Sequence, residues 1–404
     1  MQFLFIHQNF PGQFRHLAKT LSQDPKHTVV ALGQQQAPGL PGVRLIRYQT
    51  KRAPAKTTHR YVLPLEAGIL AGQAVAEQLI KHQQQGFNPD VVIAHPGWGE
   101  SLFVKDIFPH ARLIHFCEWF YRADGADIGF DAAYPVTLDD RARIRSKNAL
   151  HLLALDACDI GIAPTHWQKS RFPQEYQSKI QVIHEGVDTD QAKPDANASF
   201  TLPDGRVLTT QDKVVTYVAR NLEPYRGFPQ FIRALAQLQQ QRTDFNTLIV
   251  GGNDVSYGSK PKDAPNWREK MLAEVKLDPS RTHFLGKLPY QQYLKVLQIS
   301  TAHVYLTYPF VLSWSLLEAM SAGCCVIASD TAPVREVIRD GEHGYLTDFF
   351  DQTAMVNQLT MALADSSNAL SVRLNARNKV ADEFPIAMGS NLWVQQLIET
   401  KGWS

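Results

Sequence analysis

The sequence predicts an α/β protein built from two doubly wound domains, each a parallel sheet flanked by helices. Two stretches carry that expectation. Leu316-Leu317-Glu318-Ala319-Met320-Ser321-Ala322-Gly323 reads as a helix with a carboxylate at its opening, closed by glycine, and the apolar run Cys324 to Ala328 follows as a short buried strand. Val214 to Ala219 reads as a strand, and after Arg220-Asn221-Leu222-Glu223-Pro224-Tyr225-Arg226-Gly227 an amphipathic helix runs from Phe228 to Gln239. Both units are strand–helix repeats of a sheet whose ligands bind at the carboxyl ends of the strands.

The first half alternates in the same way. Phe3 to His7 is a strand, Gln13 to Leu21 a helix, Thr28 to Leu32 a strand, Leu65 to His82 a long helix, and Val91 to Ala94 and Leu113 to Cys117 are strands. Ile160 to Ala163 is another strand, Pro164-Thr165 caps the next helix, and Ile180 to His184 is extended. These elements need a sheet of their own. The expected division is a domain over 1–190, a linker over 191–213 rich in Asp, Pro, Ala and Thr, a second domain over 214–385 and a terminal helix over 386–404 that packs back on the first domain. The domains are expected to face each other across a cleft.

The loop after Val214 to Ala219 presents Arg220 and Arg226, whose planar donors suit phosphate oxygens, and Gly227 lets backbone approach the same anion. With Leu248-Ile249-Val250-Gly251-Gly252, Phe284-Leu285-Gly286, Leu316 to Gly323 and Arg335 to Leu346, this loop resembles a family-4 retaining glycosyltransferase (glycosyl transferase group 1) of GT-B fold. The resemblance covers the C-terminal half. It implies a nucleotide-diphosphate sugar with its ribose on Glu318, its diphosphate on Arg220 and Arg226, and its base beside Gly286 to Leu288. Backbone amides near Leu312, Ser313 and Trp314 are expected to face the sugar or the phosphate, with Ser313 as a hydrogen-bond donor. Two positions depart from the family. Arg226 replaces the usual lysine, and Phe310 stands where the first of two glutamates is usual.

Three N-terminal loops are the candidate acceptor side. Asn9-Phe10-Pro11-Gly12 opens the first helix, so amides around Gly12 are placed for an anion. His95 and Trp98, in His95-Pro96-Gly97-Trp98-Gly99-Glu100, suit sugar recognition, although packing serves Trp98 equally well. In His115-Phe116-Cys117-Glu118 the resemblance places a histidine at the strand end; here His115 or Glu118 takes that place, Glu118 being favoured, to orient the acceptor hydroxyl or accept its proton.

Composition excludes more than it identifies. The 404 residues carry a formal charge of +2, which gives no nucleic-acid signature. Cys117, Cys158, Cys324 and Cys325 show no metal or disulfide spacing and are expected buried in a reducing cytosol. There is no GxGxxG, no GxxxxGK[ST] and no HExxH, and Asp188-Thr189-Asp190 lies in the linker, so neither a catalytic metal nor a cofactor is expected. No apolar run is long enough to span a membrane. Between Asp24 and Glu66 the chain has no acid but carries Lys26, Arg44, Arg47, Lys51, Arg52, Lys56 and Arg60, either a solvated loop or a patch for an anionic, lipid-linked acceptor or acidic membrane. The reading is a cytoplasmic, metal-independent transferase of polysaccharide biosynthesis, peripheral at the inner membrane face, moving sugar from a UDP-sugar to a glycan or lipid-linked acceptor. The alternatives are an epimerase or hydrolase of the same fold, or a non-catalytic sugar-nucleotide-binding partner subunit.

Overall fold

The computed structural model describes residues 1–364 and 367–398. They form two compact units, Met1–Gly186 together with the segment from Ile386, and Val187–Pro385. The first unit holds seven strands: β1 (Gln2–Ile6), β2 (Thr28–Gln34), β3 (Arg44–Tyr48), β4 (Val91–Ala94), β5 (Arg112–Phe116), β6 (Ile160–Ala163) and β7 (Ile180–Val182). Their order is β3-β2-β1-β4-β5-β6-β7, and every pairing is parallel.

Such a sheet is buried on both faces, which is why its strands are continuous apolar runs. Phe3, Phe5, Ile93, Ile114 and Phe116 fill one face, and Leu4, Ile6, Val92 and Leu113 fill the other. The helix Ile386–Ile398 seals the first face through Trp393, whose ring stacks 6.5 Å from Phe116. Strand β3 was read as loop in the sequence. Its exposed Arg44 and Arg47 obscure the short apolar set Ile46 and Tyr48, and a charged edge strand of this kind blocks edge-to-edge pairing.

The second unit begins earlier than expected. Residues 191–213 are not a free linker: they contain the antiparallel hairpin of β8 (Ser199–Thr201) and β9 (Val207–Thr209), whose Phe200 and Leu208 join the core beside Val214 and Leu248. Three or four apolar anchors suffice to fix this segment, and its Asp and Pro content hid them. The parallel sheet follows as β10 (Val214–Asn221), β11 (Asn246–Gly252), β12 (Thr282–Gly286), β13 (Ala302–Tyr305), β14 (Cys325–Ser329) and β15 (Tyr345–Thr347), in the order β12-β11-β10-β13-β14-β15.

The helix before β14 is Trp314–Ser321, with Ser313 as its N-cap. Glu318 therefore sits in its second turn and not at its opening, because the capping serine starts the helix upstream of the Leu316-Leu317 pair. Asp188 of the Asp-Thr-Asp triplet caps its own turn, accepting from the amides of Asp190 and Gln191. All four cysteines are free and buried. Among the described residues no helix is long and apolar enough to cross a membrane.

Candidate functional site

Each sheet reverses its strand order once, between β1 and β4 in the first unit and between β10 and β13 in the second. Loops leaving the carboxyl ends at such a reversal diverge and open a crevice. The candidate residues gather at these two places.

In the first unit the crevice holds a hydrogen-bond chain centred on Glu118, two residues beyond the end of β5. The amide of Gly97 donates to His95 Nδ1 (3.2 Å), so His95 Nε2 carries the proton and donates to Glu118 Oε2 (3.1 Å). The same device operates after β1. The amide of Asn9 donates to His7 Nδ1 (3.0 Å), His7 Nε2 donates to Gln13 Oε1 (2.8 Å), and Gln13 Nε2 donates to Glu118 Oε1 (3.0 Å). Burial pushes the Glu118 carboxyl up, but the His95 and Gln13 bonds outweigh it and hold the group below its ordinary value. His7, desolvated and beside His95, falls to about 4 and stays neutral. His7 and Gln13 were not singled out in the sequence; the only signal was their place flanking the first loop.

Glu118 opens on a cavity of about 520 Å³, lined also by His95, Trp98, His115, Tyr121, Lys147 and His151. Trp98 stacks on His95 at 4.2 Å and contributes a half-buried wall. His115 is a core residue: 1% exposed, bonded through Nδ1 to the Ala154 carbonyl at 3.1 Å and lowered by burial to about 3. Gly12 adopts φ +47°, and a Cβ there would lie 2.5 Å from the His7 ring, so this glycine is required by the close approach of that imidazole. Among the described residues, three of the seven cations of the basic run have carboxylate partners. Lys51 pairs with Glu77, Arg52 with Glu66 and Arg60 with Asp139, while Arg47 donates to the carbonyls of Gln34 and Ala37.

In the second unit a smaller crevice of about 70 Å³ is lined by Arg220, Glu223, Arg226, Tyr257, Tyr305 and Ser313 among others. Arg220 is exposed and, among the described residues, makes no hydrogen bond or ion pair. Arg226 is the opposite: buried, with Nη1 donating to Tyr305 Oη (3.2 Å), Thr307 Oγ1 (2.7 Å) and the Val311 carbonyl (3.3 Å), and with its guanidinium 5.4 Å from the Tyr257 ring centre. The crevice thus holds one pre-positioned cation and one free one. Glu223, 1% exposed, accepts from the amides of Ser256, Tyr257 and Gly258 at 2.9, 3.1 and 2.9 Å and pins the loop after β11 against it. Replacing Glu223 by alanine strands three amides; urea unfolding should show a loss of about 2–4 kcal/mol, since hydrogen bonds to a charged group are each worth about 1.5–3 kcal/mol.

Other predicted residues lie at the same sheet edge with different duties. Glu318 does not line the arginine crevice; its oxygens accept from Tyr290 Oη (2.9 Å) and Tyr293 Oη (2.7 Å), and burial outweighs these bonds to raise its pKa. Ser313 is used internally, since its amide donates to Tyr305 Oη (2.9 Å) and its hydroxyl caps the helix. Leu312 is core, and Trp314 is exposed. Gly286 ends β12 at φ +66° in open space, while Leu288 is partly buried against the core. Phe310 is buried among aromatics, 5.1 Å from the Tyr257 ring and 5.8 Å from Tyr225. Among the described residues no group of three or more His, Cys, Asp or Glu is arranged to hold a metal ion.

Comparison with known proteins decides the family. Residues 25–192 match the model of the glycosyl transferase family 4 group, and residues 202–379 match that of the glycosyl transferases group 1. The chain belongs to the group 1 glycosyltransferases. It is 24% identical over 212 residues to the D-inositol 3-phosphate glycosyltransferase of Streptomyces scabiei, covering 50% of this chain and 46% of the relative. It is 30% identical over 167 residues to the phosphatidyl-myo-inositol mannosyltransferase of Mycobacterium tuberculosis, covering 41% and 38%. The chain therefore matches less than half the length of these curated relatives. Among solved structures, sucrose-phosphate synthase from Thermosynechococcus elongatus superposes with a TM-score of 0.75 at 18% identity, covering 99% of this chain and 98% of that one. Anabaena HepE in complex with UDP and glucose gives 0.69 at 14% identity, with 99% and 100% covered. At such identities the likeness establishes the fold, that of GT-B glycosyltransferases.

Proposed function

We propose that this group 1 glycosyltransferase moves a sugar, with retention of configuration and without a catalytic metal, from a UDP-sugar to a glycan or lipid-linked acceptor in polysaccharide biosynthesis. The observation that carries the reading is the free Arg220 guanidinium beside the fixed Arg226 at the strand-order reversal of the second unit. A diphosphate supplies the partner that Arg220 lacks. The UDP found with the structurally similar HepE favours uridine as the nucleoside. The ribose is assigned to Glu318, whose oxygens retain lone pairs beyond the two tyrosine bonds, and the base to the edge at Gly286 and Leu288.

Transfer breaks the bond between the anomeric carbon and the diphosphate oxygen. The acceptor oxygen forms the new bond, and the leaving diphosphate gains negative charge that Arg220 and Arg226 stabilise. Glu118 sits on the acceptor side. Held below its ordinary pKa, it is ionised and a weak base, which suits it to orienting the acceptor hydroxyl while the proton passes to the leaving phosphate.

The test is transfer from UDP-glucose in the presence of EDTA to a panel of sugar, sugar-phosphate and lipid-phosphate acceptors, with the product's anomeric configuration read by proton NMR. Retention without added metal is expected, and Glu118→Gln should lower kcat by about a hundredfold or more with UDP affinity unchanged. An inverted product, or activity that returns only with a divalent ion, contradicts the corresponding part of the reading. UDP-glucose consumption that proceeds equally without acceptor marks a hydrolase or epimerase instead.

A further inference from the structure

The cavity of the first unit contains a cation that the protein does not neutralise. Lys147, the last residue of the helix Leu138–Lys147, lines the cavity half-buried, with Nζ 3.6 Å from the centre of the Tyr121 ring. Among the described residues it makes no hydrogen bond or ion pair, although Asp127 lies within electrostatic range. The nearby Arg52 differs, being paired with Glu66 at 2.7 Å. A desolvated ammonium without a hydrogen-bonded counter-ion is costly to leave so, and burial, with the charge of Arg143 behind it, lowers the Lys147 pKa although Asp127 acts in the other direction.

The other polar groups of the cavity form a series leading away from Lys147. His151 has no hydrogen-bond partner among the described residues, lines the same cavity, and is close enough to feel the charges of Lys147, His95 and Glu118. A Cβ on Gly97 would lie 2.8 Å from His95 and 3.9 Å from His151, so this glycine keeps the space between the two imidazoles open. Beyond His95, Glu100 is 1% exposed; its Oε1 accepts from Tyr48 Oη at 2.7 Å, while its buried Oε2 has no partner. Much of the remaining wall is apolar, including Pro54, Ala67, Leu70, Ala71 and Leu150. The arrangement is one unpaired cation, an unpartnered imidazole, and two carboxyl groups that suit hydroxyls.

We propose that this cavity binds a phosphorylated sugar or polyol as acceptor, its phosphate on Lys147 and His151 and its hydroxyls toward Glu118 and Glu100. This assignment rests on the transferase reading for the role of the cavity. The phosphate neutralises Lys147, and the hydroxyls meet the open Oε2 of Glu100 and the remaining lone pairs of Glu118, whose two oxygens already accept from Gln13 and His95. The basic run 26–60 supplies no comparable site, because several of its charges already have partners.

The experiment is calorimetric titration of the full chain with glucose 6-phosphate, glycerol 1-phosphate, inorganic phosphate, a short-chain lipid phosphate and unphosphorylated glucose, on the wild type, Lys147→Met and Lys147→Arg. At least one phosphorylated probe should bind tenfold or more tightly than glucose. Lys147→Met should remove that preference, Lys147→Arg should keep most of it, and all three proteins should bind UDP equally and melt alike, the melting curve showing that the first unit, which carries the substitutions, is folded. Preference for glucose 6-phosphate marks a soluble acceptor, and preference for the lipid phosphate a membrane-derived one. No preference for phosphate, or one that survives Lys147→Met, overturns the proposal while UDP binding leaves the donor reading standing. Failure of UDP to bind any of the three strikes the donor reading instead.

Discussion

Replacing Arg220 by alanine should weaken nucleoside-diphosphate binding by ten- to a hundredfold without destabilising the protein. The two halves of that statement follow from the same fact: Arg220 is exposed and, among the described residues, makes no hydrogen bond or ion pair that folding would lose. A guanidinium bonding two phosphate oxygens contributes about 1.5–3 kcal/mol as charge-assisted hydrogen bonds, and each 1.4 kcal/mol is about tenfold in affinity. Lysine at this position retains the charge but not the planar fork, so Arg220→Lys should fall between the two. Arg226→Ala should behave differently, because it strands Tyr305, Thr307 and the Val311 carbonyl as well as removing a cation. Affinity and melting temperature should fall together there. A melting curve beside each titration distinguishes the two arginines.

The second large effect is loss of stability in acid. His7, His115, His151, His184 and His303 are buried or half-buried, with pKa values lowered to about 4, 3, 4, 4 and 3, chiefly by desolvation. In the unfolded chain each returns toward the ordinary histidine value of about 6.5. The sign follows from linkage. Folded values below unfolded ones mean that the unfolded state binds more protons, so this contribution is complete above about pH 6.5 and is lost as pH falls from there toward 4 and 3. With five such groups the slope near pH 5 is roughly 6 kcal/mol per pH unit, enough to exhaust a typical domain stability within about two units. Urea midpoints measured from pH 7.5 to 5 should fall steeply, most of all in the first unit, which contains four of the five. A flat profile would show that these histidines are protonated in the native protein.

How far the sequence could be read depended on whether the determining contacts were local. The parallel strands were legible because burial on both faces makes them continuous apolar runs, as at Phe3 to Ile6 and Val91 to Ala94. β3 was missed because an edge strand needs only one apolar face and its arginines read as loop. The hairpin of β8 and β9 was missed because Phe200 and Leu208 are isolated anchors within a polar segment. At the sites, residue types at strand ends were visible, but their partners were not. Gln13 and Glu118 are 105 positions apart, and Arg226 and Thr307 are 81 apart, so neither the orientation of Glu118 nor the fixing of Arg226 could be read from a motif. Phe310 was visible as a departure from the family; its enclosure by Tyr225 and Tyr257 was not. The position of Glu318 within its helix was misread for a local reason, since Ser313 was not recognised as the cap.

The central claim is that the second unit is a nucleotide-sugar site whose diphosphate is held by arginine. Its most direct test is calorimetric titration, with EDTA present, of the wild type, Arg220→Ala and Glu318→Ala against UDP, GDP, ADP and dTDP. The account predicts micromolar binding of UDP in preference to the others, weakened by both substitutions, with Arg220→Ala melting as the wild type does. Binding of no nucleotide, or binding that neither substitution changes, would contradict it.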